Sequence, residues 1–311
     1  MFPNITKQVE IRFDREYNYS IFCQKGEKMR YIIMDLEWNN TYARRINGFI
    51  NEIIEIGAVM LDGNFNCIDE FSALVKPQIG KKLRGNVKRL THITNDDVRS
   101  GDSFTKVMSD FKQWIGGPDN VVLTWGDGDI RVLIENFRYL NGIRTLPFLT
   151  NYMDIQRYFE IKKGISKSQQ VGLFTAAEMV GIDPEQFSHH RALDDSMITA
   201  ECLKRVYDSA DFEEHTVKCD DAFYEKLQFK PHAIGNINHP LVDKKLLDFK
   251  CDKCGSRGEQ VTEWRYSNQF FRAVYHCPVC NYNVRVAVRF KKYFDRLETK
   301  KTVTVIPDKK S

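Results

Sequence analysis

Two acidic residues on one predicted strand are the clearest sign of chemistry in this sequence. Asp35 and Glu37 directly continue an apolar run at residues 31–34. Side chains two positions apart on a strand point to the same face of the sheet, so the two carboxylates should lie together. Burying both in an apolar setting costs free energy unless a positive charge compensates them. A divalent metal ion, which prefers oxygen ligands, is the natural partner.

Further candidates lie at the edges of other predicted core elements. Asp129 follows a second apolar strand at residues 121–125, and Asp195 comes five residues after His190. Carboxylates suit Mg²⁺ or Mn²⁺, and a histidine, with an ordinary pKa of about 6.5, can accept a proton at neutral pH. The four acids and the histidine therefore predict a metal-dependent site that cleaves phosphodiester bonds.

Neighbouring residues compete for two of these roles. His189 precedes Asp194 by five residues, as His190 precedes Asp195. Asp195 shares a helical face with the apolar residues three, seven and eleven positions later, which places it on the core side and favours it over Asp194. Asp127 competes with Asp129, which stands at the start of the predicted helix.

The acidic motifs occur in an order that a known family shares. Asp35 and Glu37 match a first motif, Asp-x-Glu, and Asp129 within Trp-Gly-Asp-Gly-Asp matches a second. His190 and Asp195 match a third, His-x-Ala-Leu-x-Asp. In these motifs the sequence resembles the DEDDh family of 3′–5′ exonucleases, the DnaQ-like branch of the RNase H-like fold.

The resemblance extends over residues 30–206. Residues 52–59 are similar to the family's second strand, and residues 90–94 to its Leu-Thr-x-Ile-Thr segment. The Trp-Gly-x-x-Asp context is most similar to the KapD-like exoribonuclease group. The family pattern also favours His190, Asp195 and Asp129 over their competitors.

This resemblance implies an α/β fold with an RNase H-like mixed sheet flanked by helices. It also implies hydrolysis by a two-metal mechanism with Mg²⁺ or Mn²⁺. Asp35, Glu37 and Asp195 would hold one ion, Asp35 and Asp129 would hold the other, and His190 would be the general base.

The residues after the first motif are candidates for binding substrate. In the family this stretch contacts the terminal nucleotide, and it usually begins with a small or hydroxyl residue. Here it begins with Trp38 and Asn39. Trp38 could stack on a terminal base, and a core tryptophan that covers the strand end is the alternative. We also expect His92, in the segment at 90–94, to be a loop residue on the substrate side.

Two pairs of cysteines predict a second metal site. Cys251 and Cys254 form one C-x₂-C pair, Cys277 and Cys280 form another, and 22 residues separate the pairs. This spacing is close to the pattern in which four thiolates bind one Zn²⁺, and such a closed site is structural. A redox dithiol is the alternative. The other four cysteines are scattered, and we expect them to be reduced.

The positive charge of the chain is concentrated near its C-terminal end. Residues 245–311 contain 15 Lys and Arg against 7 Asp and Glu, in a chain whose formal net charge is +4. Basic residues alternate there with aromatic ones, a combination that suits single-stranded nucleic acid. The alternatives are aromatic residues that fill a small core, a solvated basic terminus, and a surface that docks a protein partner.

The patterns divide the sequence into four parts. We expect an N-terminal extension (1–30), an exonuclease domain (31–210), a connector (211–245), and a small C-terminal zinc-ribbon domain with a basic tail (246–311). The predicted strands are residues 31–34, 53–61, 67–75 and 121–125 in the nuclease, and 260–266, 270–276 and 283–290 in the ribbon. The main predicted helices are residues 104–114, 129–140 and 194–206.

The function predicted from the sequence is a 3′–5′ exonuclease that acts on single-stranded nucleic acid, with RNA favoured by the family resemblance. The sequence lacks an apolar run of 18 residues, so we expect no membrane association and a cytoplasmic location. One alternative is a nucleic-acid-binding or regulatory protein that has the fold without the activity. Another is a DNA proofreading or repair exonuclease.

Overall fold

The chain divides into two units after Leu227, at the end of an amphipathic helix. The computed structural model describes residues 5–12, 29–166, 168–187 and 190–307, with the backbone alone for 5–12. The N-terminal strand β1 (Ile5–Arg12) belongs to the second unit. Within the described ranges, none of the helices has the length and apolar character needed to cross a membrane.

The first unit is built on a mixed sheet. Its described strands are β2 (Arg30–Ala43), β3 (Gly48–Leu61), β4 (Cys67–Leu74), β5 (Asn120–Thr124), β6 (Asn151–Asp154) and β7 (Val217–Lys218). They lie in the order β4-β3-β2-β5-β6-β7. The pairs β2–β5 and β5–β6 are parallel, and the other pairs are antiparallel.

Helices flank this sheet. They are α1 (Gly85–Thr91), α2 (Asn95–Ser100), α3 (Phe104–Ile115), α4 (Gly128–Asn136), α5 (Ile155–Lys162), α6 (Leu173–Met179), α7 (Ala192–Val206) and α8 (Asp221–Gln228). The predicted helix at 104–114 is α3, which begins where the Ser103 side chain accepts a hydrogen bond from Lys106 N and ends at Gly116. The predicted helix at 129–140 is α4 followed by a π-helical turn over Phe137–Asn141.

Both faces of the sheet are buried. On β2, Ile32 and Met34 pack in one apolar cluster with residues of α3 and α4, and Ile33 packs in a second cluster with residues of α5 and α7. A strand covered on both faces reads as a continuous apolar run, as residues 31–34 do. The predicted mixed sheet flanked by helices is confirmed.

The central hairpin is longer than predicted. β2 runs from the predicted strand through the acidic pair, continues six residues beyond Glu37, and pairs with β3 as far as Ala43 opposite Gly48. A bulge between Glu37 and Trp38 interrupts the register. The polar sequence Trp-Asn-Asn-Thr resembles a loop, but its backbone groups are satisfied by the partner strand.

The second unit is an antiparallel sheet. Its further strands are β8 (His232–Ala233), β9 (Glu259–Gln260), β10 (Arg265–Ser267), β11 (Phe270–Cys277), β12 (Tyr282–Lys292) and β13 (Arg296–Ile306). They lie in the order β1-β13-β12-β11-β10, with β8 beside β12 and β9 beside β11. The predicted strands at 270–276 and 283–290 are β11 and β12, whereas the one at 260–266 is two shorter strands.

The structure differs from the predicted division in two places. Phe212, Tyr224 and Leu227 are buried in the first unit, whereas the rest of the segment expected as a connector, from Gln228, joins the second. Most of the expected basic tail is β13, the strand that joins β1 to the sheet. Residues 13–28 of the expected N-terminal extension lie outside the described ranges.

Candidate functional site

Paired strands hold the first two carboxylates side by side. Asp35 lies opposite Gly57 and Glu37 lies opposite Glu55 in the β2–β3 register. Asp35 and Glu37 therefore share a face, as their spacing predicts. Both are partly buried, and the bulge begins directly after Glu37.

A glycine lets helix α7 approach these strands. A Cβ atom on Gly57 would stand 2.0 Å from Leu193 N, so no other residue fits there without displacing the helix. The Ser196 hydroxyl donates to the Gly57 carbonyl at 3.1 Å. This close packing places the first turn of α7, and with it Asp195, against the strand pair that carries Asp35.

Asp195 and His190 complete a cluster with Glu37. One donor atom from each of these three residues lies within 4.8 Å of the other two. Asp195 is 8% exposed, and its Oδ1 has no hydrogen-bond partner among the described residues. An unpaired oxygen at a buried site is costly, and a bound cation would satisfy it.

Asp129 reaches the same strand from the other side. It lies in the first turn of α4, is 5% exposed, and accepts a hydrogen bond at 3.2 Å from Leu36 N, between the two carboxylates of β2. Its competitor Asp127 forms an ion pair with Arg131 at 2.7 Å and is half exposed. The preceding turn contains Gly126 with φ +83°, a conformation that favours glycine.

The carboxylates raise one another's pKa values. Burial is the largest cause at each, and it raises the pKa of Glu37 to about 8 and those of Asp129 and Asp195 to about 7. The pKa of Asp35 lies well above its ordinary value because of burial and then of repulsion from Asp129, Asp195 and Glu37. Because the four acids cannot all ionise without a compensating positive charge, the cluster favours the binding of cations.

His190 lies just before α7. Its backbone is left-handed, with φ 58°, and its ring meets Phe174 edge-on with 5.4 Å between the centroids. Such a backbone is uncommon for a residue other than glycine and is often retained where function requires it. The competitor His189 lies outside the described residues.

Sequence analysis missed an ion pair at the start of α7, between the buried Glu55 and the partly exposed Arg191. Glu55 is 1% exposed, and both of its oxygens accept hydrogen bonds from Arg191, at 2.5 Å from Nη2 and 3.1 Å from Nε. Glu55 also accepts a hydrogen bond from Ala192 N at 3.2 Å. A bidentate pair at a helix N-terminus fixes the entry of α7 between His190 and Asp195. The available signal was a single glutamate within the apolar run at residues 53–61.

The residues expected to contact substrate have different surroundings. Trp38 is partly buried against the core cluster that contains Leu36. Asn39 is 1% exposed, and its amide joins the strand to the next loop by accepting from Arg84 N and donating to the Lys82 carbonyl. His92 is exposed, with a left-handed backbone at the end of α1. The geometry therefore gives Asn39 a part in holding the loop.

The four cysteines of the second unit converge. Their sulfur atoms all lie within 4.8 Å of one another, with 3.9 Å from Cys251 to Cys280 and 3.6 Å from Cys254 to Cys277. A tetrahedron with Zn–S bonds of about 2.3 Å has edges of about 3.8 Å, so the cluster has the size that zinc requires. All four are free thiols.

Two equivalent turns shape this cluster. Gly255 N donates to the Cys251 carbonyl at 2.9 Å, and Asn281 N donates to the Cys277 carbonyl at 2.8 Å. Gly255 and Asn281 both have a left-handed backbone, which lets each C-x₂-C pair fold back on itself. The cluster fits a small zinc-binding domain.

The sequence and the site together define a family. Residues 32–203 match the family model described as Exonuclease (RNase_T), so the chain belongs to this exonuclease family. The PolC-type DNA polymerase III of Thermotoga maritima is 26% identical over 176 residues, which are 56% of this chain and 12% of that protein. That of Clostridium perfringens is 30% identical over 179 residues, 56% of this chain and 11% of that protein. The chain thus spans about an eighth of the length of these relatives.

Solved structures of 3′-exonucleases are also similar. The nuclease domain of 3′hExo, a DEDDh family member bound to rAMP, has a TM-score of 0.50 and 26% identity, and covers 57% of this chain and 90% of that one. A 3′-exonuclease that recognises the histone mRNA stem-loop has a TM-score of 0.50 and 25% identity, and covers 57% of this chain and 62% of that one. The predicted resemblance to 3′–5′ exonucleases is confirmed.

Proposed function

We propose that this protein is a divalent-metal-dependent 3′–5′ exonuclease that shortens single-stranded nucleic acid, with RNA as its preferred substrate. The observation that carries the proposal is the cluster of Glu37, His190 and Asp195 beside Asp35 and Asp129, in which one buried Asp195 oxygen has no hydrogen-bond partner among the described residues. All five residues lie within the matched family domain, residues 32–203.

The residues present fit Mg²⁺ or Mn²⁺. Every carboxylate of the cluster offers oxygen ligands, and burial, followed by repulsion from neighbouring acids, raises the pKa values of Asp35 and Glu37. Asp35, Glu37 and Asp195 would hold one ion, and Asp35 and Asp129 the other. When bound, such a pair orients the attacking water and stabilises the leaving oxygen.

His190 has the chemistry of the general base. A ring nitrogen would accept the proton of the attacking water and pass it to solvent, since the residue is only partly buried. Contact with Phe174 on one side and the start of α7 on the other limits the directions the ring can take. The nearby Glu55–Arg191 pair would hold this geometry through the backbone of α7.

In the second unit, zinc would have a structural role. The cysteine cluster lies in the second unit, and its four thiolates would close the coordination shell of one Zn²⁺. The ion would tie the turn before β9 to the turn between β11 and β12, so zinc binding would stabilise the fold of this unit.

The relatives support two different substrates, RNA and DNA. The 3′hExo nuclease domain, bound to rAMP, and the histone mRNA exonuclease favour RNA. The PolC-type relatives are DNA polymerases, and they favour a DNA exonuclease as the second candidate. In each of these four comparisons the similar stretch is 56–57% of this chain.

A matched degradation assay separates these possibilities. RNA and DNA oligomers of one sequence, single-stranded or annealed, would carry a 5′ label and be incubated with Mg²⁺. We expect a ladder shortened from the 3′ end, faster on single strands and faster on RNA. A 3′-phosphorylated oligomer is the control for end recognition. Faster DNA hydrolysis would make the proofreading or repair function the better one, and no hydrolysis of any substrate would indicate a binding or regulatory protein.

A further inference from the structure

The sheet of the second unit has two unlike faces. Directly opposite residues on antiparallel strands share a face, so the register assigns each side chain to one side. Phe271, Val286 and Phe290 lie on one face and are buried. Phe249 and Leu247, which precede the first cysteine pair, belong to the same core. Every buried residue of β11, β12 and β13 is on this covered face.

The other face is basic. Arg272 lies opposite Ala287 and Thr302, and Val274 lies opposite Arg285 and Thr304. The residues on this face of β9 to β13 are all exposed or partly exposed. Its cations are Arg265, Arg272, Arg285, Arg289, Lys291, Arg296 and Lys300, and its acids are Glu259 and Glu298. We call these residues, with the side chains between them, the basic sheet face.

The cations form a grid rather than a flexible run. Residues two apart on one strand are about 6.6 Å apart, and neighbouring strands are separated by about 4.8 Å. Five of the cations, including Arg289 opposite Lys300, come from the adjoining strands β12 and β13. Acidic residues are few on this face. One of them, Glu298, forms an ion pair with Arg289 at 2.7 Å and accepts a hydrogen bond from the Tyr293 hydroxyl at 3.4 Å. Positive charge is therefore concentrated on a rigid surface.

Aromatic rings accompany the cations at the end of the sheet away from the cysteines. The guanidinium carbons of Arg272 and Arg289 lie 5.2 and 5.4 Å from the Phe270 ring centroid. Lys291 and Arg296 lie 4.9 and 4.2 Å from the centroid of Tyr293. By contrast, Phe271 and Tyr275 are buried in the core. The structure thus separates aromatics that fill the core from those beside the exposed cations.

We propose that the basic sheet face binds the phosphate backbone of single-stranded nucleic acid. Charge complementarity favours this occupant, because a regular array of cations with few acids suits a polyanion, and partly exposed rings can stack on unpaired bases. A duplex would present its bases already stacked. The proposal rests on the proposed function for the nature of the ligand, because it would be the same strand that the first unit shortens.

The test removes three cations that make no core contact. The full chain with Asp195→Asn, which blocks cleavage, would carry Arg265→Gln, Arg285→Gln and Lys300→Gln. The matched control would carry Lys218→Gln, Lys226→Gln and Lys230→Gln, an equal loss of charge from exposed positions elsewhere. Binding of a fluorescent single-stranded RNA, long enough to cross the sheet, would be measured by anisotropy over a range of salt concentrations. Zinc content would report whether the second unit remains folded.

We expect the face variant to bind more weakly and its salt dependence to become shallower by about 2 in slope, since each lost phosphate contact removes roughly 0.7 for a single strand. The control should keep both values. Unchanged affinity and slope in the face variant would overturn the proposal and leave an acidic protein surface as the better partner.

A second arm separates this proposal from the proposed function. The face variant with Asp195 intact should hydrolyse a trinucleotide, which has too few phosphates to span the basic sheet face, at the wild-type rate. If all active chains cleave the trinucleotide and binding is unchanged, the surface proposal fails while the nuclease stands. If no chain releases nucleotides, the proposed function fails, and the binding arm still decides the role of the surface.

Discussion

The two candidate metal centres are assembled in opposite ways. The four cysteines come in two local pairs, each shaped by one backbone turn, and only 22 residues separate the pairs. The carboxylates come from β2, α4 and α7, which are separated by up to 160 residues along the chain, and they meet only when the sheet is complete. The cysteine site can stabilise a small unit when it binds its ion. The carboxylate site lowers the stability of the fold and therefore needs a large unit to support it.

The supporting structure shows how that cost is met. Asp35 and Glu37 lie on a strand whose two faces are buried by helices, and Gly57 of the neighbouring strand allows α7 to pack directly against the pair. Glu55 and Arg191 neutralise one another beside the cluster. Glu55 still raises the pKa values of Asp35, Glu37 and Asp195 by repulsion, in addition to the larger effect of burial. Burying these carboxylates costs stability. Such a cost is typical of residues that are retained for function.

Disrupting the local centre should have the largest structural effect. We predict that Cys251→Ser with Cys254→Ser removes about one zinc per chain and unfolds the second unit, because a site left with two ligands cannot retain the ion. Metal analysis and circular dichroism would measure both effects. Cys67→Ser, at an exposed thiol, is the control. Zinc retained by the double variant would contradict the site.

Disrupting the distributed centre should remove activity and preserve the fold. We predict that His190→Ala lowers kcat by about 10²–10⁴, the usual contribution of a general base. His189→Ala is the matched control and should have a much smaller effect. Single-turnover rates on a 5′-labelled RNA would rank the two variants. The opposite ranking would assign the base to the other histidine.

Disrupting the Glu55–Arg191 ion pair should have an intermediate effect. We predict that Glu55→Gln, which keeps the shape and loses the charge, raises the Mg²⁺ concentration needed for half-maximal activity by about 10–100-fold, as is typical for residues that orient metal ligands. The measurement is a magnesium titration of the rate, with Glu201→Gln at a surface ion pair of α7 as control. An unchanged magnesium requirement would limit Glu55 to a role in folding.

The smallest expected effect is on stability. In the unfolded chain these carboxylates have pKa values of about 4, whereas in the fold Glu37 titrates at about 8 and Asp129 and Asp195 at about 7. Between these limits the folded state binds more protons than the unfolded state, so stability falls as pH rises. We predict a higher Tm at pH 5 than at pH 8 without Mg²⁺.

Added Mg²⁺ should remove most of this difference, because the ion replaces the protons as the compensating charge. Thermal melts of the zinc-containing protein at both pH values would measure it. Asp195→Asn should raise the Tm at pH 8 without Mg²⁺, and Asp194→Asn should raise it less. A metal-free protein that is more stable at pH 8 would show that the carboxylates do not repel one another in the fold.

The comparison also explains what the sequence could predict. Period-two spacing placed Asp35 and Glu37 on one face, and the C-x₂-C spacing predicted the convergence of the cysteines, because both signals are local. The continuation of β2 to Ala43 was missed because it depends on pairing with β3. The pairing of β1 with β13 joins opposite ends of the sequence and leaves no local pattern. Likewise, the partnership of Glu55 with Arg191 spans 136 residues.

Basic residues were the most difficult to interpret from the sequence. A solvated terminus was one alternative for the lysines of Arg296–Ile306, but Lys300 and Lys301 lie within β13, where successive side chains point to opposite faces of the sheet. Only the strand register shows that Lys300 and Arg289 share a face. A count of charges predicted a polyanionic partner, and the fold indicates the surface that could bind it.

The central claim is that the carboxylate cluster cleaves nucleic acid from the 3′ end. The most direct measurement is single-turnover hydrolysis of a 5′-labelled single-stranded RNA, with and without Mg²⁺, by the wild-type protein and by Asp195→Asn. The account predicts a Mg²⁺-dependent ladder shortened from the 3′ end for the wild type, and an intact oligomer for a variant that remains folded and retains its zinc. Wild-type turnover by Asp195→Asn would contradict it.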